Sequence, residues 1–268
     1  MRGEFLHGES HLRGLRWLLL VGLLLVSLGL SGCLRYEVGV TVDGQFNGSI
    51  TQHITLSEQL TSFSRREAED WLDTVEQRAR RLQGRVQRVS ASELVATIPF
   101  HNGQELATRF NQFFNPEGQT PAQAVPADAG DWVQLTAGAA LQQTNLLLLE
   151  RDRLVLDIDL RGLRVLGEAG NTLAIDPGSL LDLEFALQTP WGARLGRGSS
   201  GSALTPPVHR HGRRYVWRLQ PGQVNHIEAA YWLPSWLGLG AMLIALLVAA
   251  GSYVKYKLFA APVPASPR

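Results

Sequence analysis

Apolar and polar positions alternate with period two over residues 34–42 (LRYEVGVTV) and again over 46–56, with Asp43-Gly44 between them, so this stretch predicts a β-hairpin. The period then changes to that of a helix. Ala68, Trp71, Leu72, Val75, Ala79 and Leu82 fall on one helical face, Ser64 and Glu67 have capping-box spacing, and Gly84 supplies a stop. Residues 85–89 and 93–100 predict a second strand pair. Asn102 and Glu105 then cap a second helix whose stripe is Leu106, Phe110, Phe113 and Phe114, ended by Asn115-Pro116. The order ββαββα suits an antiparallel sheet with both helices on one face. Past a Pro-, Ala- and Gln-rich stretch the chain reads as almost wholly β, with strands expected at 132–136, 145–150, 153–160, 180–188, 214–219 and 224–232. The expected class is therefore α+β, mostly antiparallel, arranged as an α+β half (33–116), a linker (117–131) and a β-rich half (132–235).

Two uncharged apolar runs flank this region. Residues 17–32 (WLLLVGLLLVSLGLSG) follow Arg13 and Arg16 and are short for a span but suit a secretory signal, so 1–32 are expected to be a signal peptide. Leu30, Ser31, Gly32 and Cys33 match the lipobox of bacterial lipoproteins, which would make Cys33 a lipidated N-terminus; the alternative is a buried thiol after an uncleaved anchor. Residues 236–254 have the length of a transmembrane helix, with Tyr231, Trp232 and Trp236 before it and Tyr253 and Tyr256 at its far end. Lys255 and Lys257, the only lysines, follow at once and place the 255–268 tail in the cytoplasm, with the folded region outside it. A lipid at one end and a helix at the other predict a body held twice by one bilayer.

Composition narrows the function. The chain of 268 residues is 45% hydrophobic and 18% charged with net charge +1, and residues 34–235 carry 19 basic against 22 acidic groups, which excludes a basic nucleic-acid binder. One cysteine excludes an internal disulfide and any zinc site built on cysteine pairs. No GxSxG elbow, P-loop, HExxH or EF-hand loop occurs, and no nucleophile with a base and an orienting group can be named, so no catalytic residue, cofactor or metal is expected. His209 and His211 alternate in HRHGRR but read as a solvated loop. Asp157 and Asp159 read as exposed carboxylates beside Arg153 and Arg161.

Two features have a sharper reading. Residues 185–227 contain no Asp or Glu but include Arg194, Arg197, Arg210, Arg213, Arg214 and Arg218, with a Gly/Ser-rich loop in their middle. Held near a bilayer, such guanidinium groups attract anionic headgroups; a flexible, solvated Arg-bearing hairpin is the plainer account. Phe110, Phe113 and Phe114 could line an apolar ligand pocket between helix and sheet, or simply fill the core.

The lipobox leading into CLRYEVGVTVDGQFNGSI, the DLRGL segment, the WRLQPGQVNHIEAAYW ending and the final span resemble an uncharacterised family of cyanobacterial membrane lipoproteins. More distantly the plan is similar to mycobacterial LppM-type lipoproteins. The resemblance implies an α+β exposed domain suspected of binding lipid and brings no catalytic residue with it. The expected function is thus non-enzymatic, a membrane-anchored envelope lipoprotein whose partners are membrane lipids or another amphiphile. The alternative is an assembly or scaffold factor for a membrane-protein complex.

Overall fold

The computed structural model describes residues 34–57, 65–115, 136–161, 181–196 and 203–258. Its class is α+β, with two mostly antiparallel sheets and three helices among the described residues. The first hairpin forms as its alternation requires: β1 (Leu34–Gly44) and β2 (Asn47–Leu56) pair antiparallel from Leu34↔Leu56 to Gly44↔Asn47, and Tyr36, Val38, Val40, Ile50 and Ile54 all face the core. Helix α1 (Arg65–Arg81) follows and buries Ala68, Leu72, Val75 and Ala79, the stripe read from its period. β3 (Arg85–Ser90), β4 (Glu93–Phe100) and α2 (Gly103–Phe114) complete the ββαββα order. Asn102 caps α2, its side chain accepting from the Glu105 N–H at 2.8 Å, while Glu105 reaches back to the His101 N–H at 2.7 Å.

The second half departs from the sequence expectations in three places. The strand expected at 145–150 is split by a turn: Asn145 and Leu146 end β5 (Thr136–Leu146), Leu149 and Glu150 begin β6 (Leu149–Asp159), and Leu147 and Leu148 form the tip of the long hairpin between them. β7 (Leu181–Gln188) is followed by a short strand, β8 (Ala193–Leu195), inside the stretch read as loop. The HRHGRR segment is likewise a hairpin, β9 (Val208–His211) with β10 (Arg214–Arg218), turning at Gly212 with φ +64°. β11 (Val224–Pro234) runs through Ser235 into α3 (Trp236–Leu258).

The seven-stranded sheet has the order β3-β4-β2-β1-β7-β10-β9, and the four-stranded sheet β5-β6-β11-β8. Strands from before and after the expected linker thus share one sheet, joined by the parallel pair β1–β7 (Leu34↔Leu181 to Thr41↔Gln188). Helix α2 ties the two sheets together. Its Asn111 side chain accepts from the Ala139 N–H at 2.7 Å and donates to the Ala139 carbonyl at 2.9 Å, and Asn115 donates to the Ala137 carbonyl at 2.6 Å. These amides satisfy part of the open edge of β5, which would otherwise invite another strand.

Helix α3 has 23 residues, about 34 Å at 1.5 Å per residue, and is exposed along most of its length with a mean hydropathy of 2.1. It is long and apolar enough to cross a membrane, and it continues past 254 to include Lys255 and Lys257. Its head is fixed to the body without a linker: the Ser235 N–H donates to the Leu148 carbonyl at 2.9 Å. Gln45, in the β1–β2 turn, meets the same head, so this end of β1 lies beside α3 while Leu34 lies at the other end of an 11-residue strand, about 33 Å away. Both ends can meet a single bilayer only if β1 lies along its surface. Cys33 and residues 1–32, like all of 117–131, are outside the described residues.

Candidate functional site

The six arginines of the acid-free stretch do not act as one cluster. Arg194 sits on β8 and Arg210 on β9, and these two line a common cleft. Arg213, in the β9–β10 turn, donates to the Pro190 carbonyl at 2.7 Å. Arg214 pairs with Glu37 of β1, so a carboxylate distant in sequence neutralises it. Arg218 is exposed at the opposite end of β10, and Arg197 is outside the described residues.

The cleft has a volume of about 330 Å³ and lies between the β9–β10 hairpin of one sheet and β8–β11 of the other, lined by Leu149, Trp191, Arg194, Arg210, Tyr215 and Trp232 among others. Each wall has a local cause. The Tyr215 hydroxyl donates to the Ala193 carbonyl at 2.8 Å, which fastens β8 across to β10. Gly192 takes φ +80° beside that hydroxyl, a turn conformation that a side chain would strain. Arg210 lies with its guanidinium carbon 5.5 Å from the Tyr215 ring centre and is steadied by a bond from Nε to the Gly212 carbonyl at 2.9 Å. Arg194 is exposed and makes no ion pair among the described residues. Among the described residues no carboxylate lines the cleft, so two guanidinium groups beside two indoles and a leucine offer a site for an anionic group carrying an apolar portion.

The phenylalanine stripe is packed. Phe110, Phe113 and Phe114 are buried, with ring centres 4.5 and 5.0 Å apart, and the space beside Phe113 and Phe114 measures about 20 Å³. That volume holds about one water molecule and excludes an acyl chain, so the rings fill the core.

The other carboxylate and histidine readings also resolve. Asp157 Oδ1 lies within hydrogen-bond distance of His226 Nδ1, at 2.6 Å. Asp159 is buried rather than exposed, gripped by Arg161 at 2.6 Å. His209 and His211 are exposed on β9, and no cluster of three metal-ligating side chains occurs among the described residues.

A polar group that sequence reading missed lies beneath the head of α3. Glu150 and Asp152 face inward from β6. Gln45 Nε2 and Gln143 Nε2 donate to the two Glu150 oxygens at 2.7 and 2.6 Å, and burial followed by the Glu150 charge pushes the Asp152 carboxyl up to about 7. Burial likewise raises the Tyr231 hydroxyl, which faces Asp152. The signal was present: Leu154, Leu156 and Ile158 are inward, and extending that parity backwards reaches Asp152 and Glu150.

A family profile described as "Protein of unknown function (DUF3153)" matches residues 39–258. The chain belongs to that family. The DUF3153 match spans both sheets and α3, so it embraces the cleft and the buried carboxylates alike. Among solved structures, the chain is similar to the NMR structure of the folded domain of LppM from Mycobacterium tuberculosis, at 12% identity and a TM-score of 0.41, over 76% of this chain and 92% of that one. No curated protein matches this DUF3153 chain.

Proposed function

We propose that the protein is a non-enzymatic, membrane-anchored envelope lipoprotein whose body lies on the extracytoplasmic side and binds an anionic lipid or another anionic amphiphile. The observation that carries this reading is the cleft in which Arg194 and Arg210 converge beside Trp191 and Trp232 without a carboxylate, four residues before α3 begins. Guanidinium groups match phosphate oxygens, and the indoles and Leu149 suit the first methylenes of a chain. Sidedness is supported by the lipobox ending at Cys33 and by Lys255 and Lys257 beyond the apolar helix.

The test uses the full chain in nanodiscs of neutral lipid, titrated with short-chain phosphatidylglycerol and, in parallel, short-chain phosphatidylcholine. Phosphatidylglycerol should bind more tightly, and Arg194→Gln with Arg210→Gln should weaken it about tenfold or more, the loss of one or two charge-assisted contacts. Equal affinity for both lipids, or unchanged affinity in the variant, removes the reading.

One observation favours a role in assembling a membrane-protein complex. β9 ends the seven-stranded sheet with all four residues exposed, and among the described residues no strand pairs with its outer edge. A partner strand could add there. That role would show as a protein retained after mild detergent extraction and lost on Val208→Pro.

A further inference from the structure

We infer that the cleft takes the head of a phosphate monoester borne on an apolar chain: the phosphate sits between Arg194 and Arg210, and the chain runs along Trp232 towards Leu149 and the head of α3. This rests on the reading of the cleft as a site for an anionic amphiphile, given above, and adds to it the class of headgroup and the direction in which the ligand lies.

The outer face of the second sheet gives the site its direction. Alternation turns Glu150, Asp152 and Leu154 of β6 inward and leaves Leu149, Arg151 and Arg153 exposed on the other face. Pairing across the sheet then sets the outward residues in rows. Leu149 and Pro234 form an apolar row beside α3, Arg151 and Trp232 form the next, and Arg153, Ala230 and Arg194 form the third. From Leu149 to Arg153 is about 13 Å along the strand. The cleft takes Leu149 from the first row, Trp232 from the second, and Ala230 and Arg194 from the third, so it passes from apolar to cationic as it leaves α3.

The cationic end is uncompensated. Glu228 is the carboxylate of the following row, and Arg153 holds it at 2.8 Å, which leaves Arg194 and Arg210 without an acidic partner among the described residues. Arg151 likewise makes no ion pair among the described residues, and its guanidinium carbon lies 5.8 Å from the centre of the Trp232 ring that walls the cleft. Gly192 keeps the floor open beside Arg210: a methyl there would stand 4.0 Å from Arg210 Nη2 and 3.5 Å from the Tyr215 hydroxyl oxygen.

Two unpaired guanidinium groups discriminate among anions by charge and by oxygens. Each fork gives two parallel N–H bonds to an oxyanion. A phosphate monoester presents three free oxygens and, above its second ionisation near about pH 6, close to two negative charges, so it matches both forks. A diester has two free oxygens and a single charge, and leaves one guanidinium to water. The apolar end has room for one chain. A cavity of about 150 Å³ holds a benzene ring, so the cleft, at about 330 Å³, takes a phosphate and the first carbons of a single chain, flanked by Trp232 and Leu149.

The test titrates the full chain, held in nanodiscs of neutral lipid, with dihexanoyl phosphatidic acid, a monoester, and with dihexanoyl phosphatidylglycerol, a diester carrying the same chains. Heats of binding are measured at pH 8 and pH 5 with empty nanodiscs as background, and glycerol 3-phosphate supplies the head without chains. At pH 8 the monoester should bind about tenfold more tightly than the diester. At pH 5, where it keeps one charge, the two should agree within about threefold. Protonation of the protein does not imitate this: a proton on Asp152 or Glu228 of the second sheet, or on His209 or His211 beside Arg210, adds positive charge and strengthens both ligands. Arg194→Gln should remove most of the advantage at pH 8, and because Arg194 is exposed and unpaired the variant keeps its fold. Equal affinities at pH 8, an advantage that persists at pH 5, or one unchanged in Arg194→Gln overturns the monoester head while leaving the amphiphile reading intact. Glycerol 3-phosphate bound as tightly as the dihexanoyl monoester overturns the apolar half of the site. Neither lipid binding above background removes the amphiphile reading, and the monoester with it.

Discussion

The main-chain N–H of Trp236, the first residue of the apolar helix, donates to the side-chain oxygen of Gln45 at 3.1 Å across 191 positions of sequence. The same amide donates through Nε2 to the buried carboxylate of Glu150. One side chain in a hairpin turn therefore links the apolar helix to the interior of the second sheet.

Replacing Gln45 by Ala removes both bonds and leaves the buried Glu150 carboxylate short of a donor. Loss of a partner from a buried charged group costs about 1–3 kcal/mol. Urea unfolding of the detergent-solubilised chain should show that loss, and an unchanged midpoint would mean that Gln45 only decorates the turn.

The Asp152 carboxyl gives stability a pH dependence of definite sign. Its folded value is pushed up to about 7, above the ordinary carboxylate range, by burial and then by Glu150. Between about pH 4 and 7 the folded state therefore holds a proton that the unfolded chain has released. Its contribution is complete below the unfolded value and is lost as pH rises through 7. The midpoint of denaturant unfolding should fall from pH 5 to pH 8 more steeply in the native chain than in Asp152→Asn, which keeps the shape and cannot ionise. Equal slopes would refute the assignment.

Gly238 and Gly240 form a matched pair. A methyl at 238 meets the Leu147 carbonyl, whereas one at 240 meets nothing within 4 Å. Gly238→Ala should force the hairpin tip away from α3 and cost about 1–3 kcal/mol, as overpacking does. Gly240→Ala should be neutral or gain about 0.5–1 kcal/mol from helix propensity. Hydrogen exchange at 146–149 distinguishes them, rising only in the first.

Phe110 should behave as a core residue and not as a ligand contact. Phe110→Ala should destabilise by about 3–5 kcal/mol. Added detergent or fatty acid should not restore the midpoint, because the neighbouring space of about 20 Å³ accepts no chain. Rescue by an added acyl chain would reopen the pocket reading.

The first half was legible because its signals are local. Alternation in 34–42, the Leu72–Val75–Ala79 stripe and the Asn102 cap each depend on residues within a turn or two of one another. The second half obeys distant partners. The run of leucines at 146–149 reads as a strand because apolar side chains normally seek the interior, but here it turns outward beside α3. β9 has a single apolar residue, Val208, and β8 has only three residues, so neither carries a period. The arginine stretch lacks acids only along the chain: Glu37 comes from β1 to meet Arg214. What remained of the predicted lipid site, Arg194 with Arg210, was legible in residue type but not in the company it keeps.

The central parallel pair also sets the order of events at birth. Leu34 finds its partner Leu181 147 positions later, so strands β1–β4 can form early while their inner edge stays bare until β7 has been made. Until then that bare edge is open to wrong pairing. A holding chaperone should therefore matter more for the yield of this protein than for one whose neighbouring strands are consecutive.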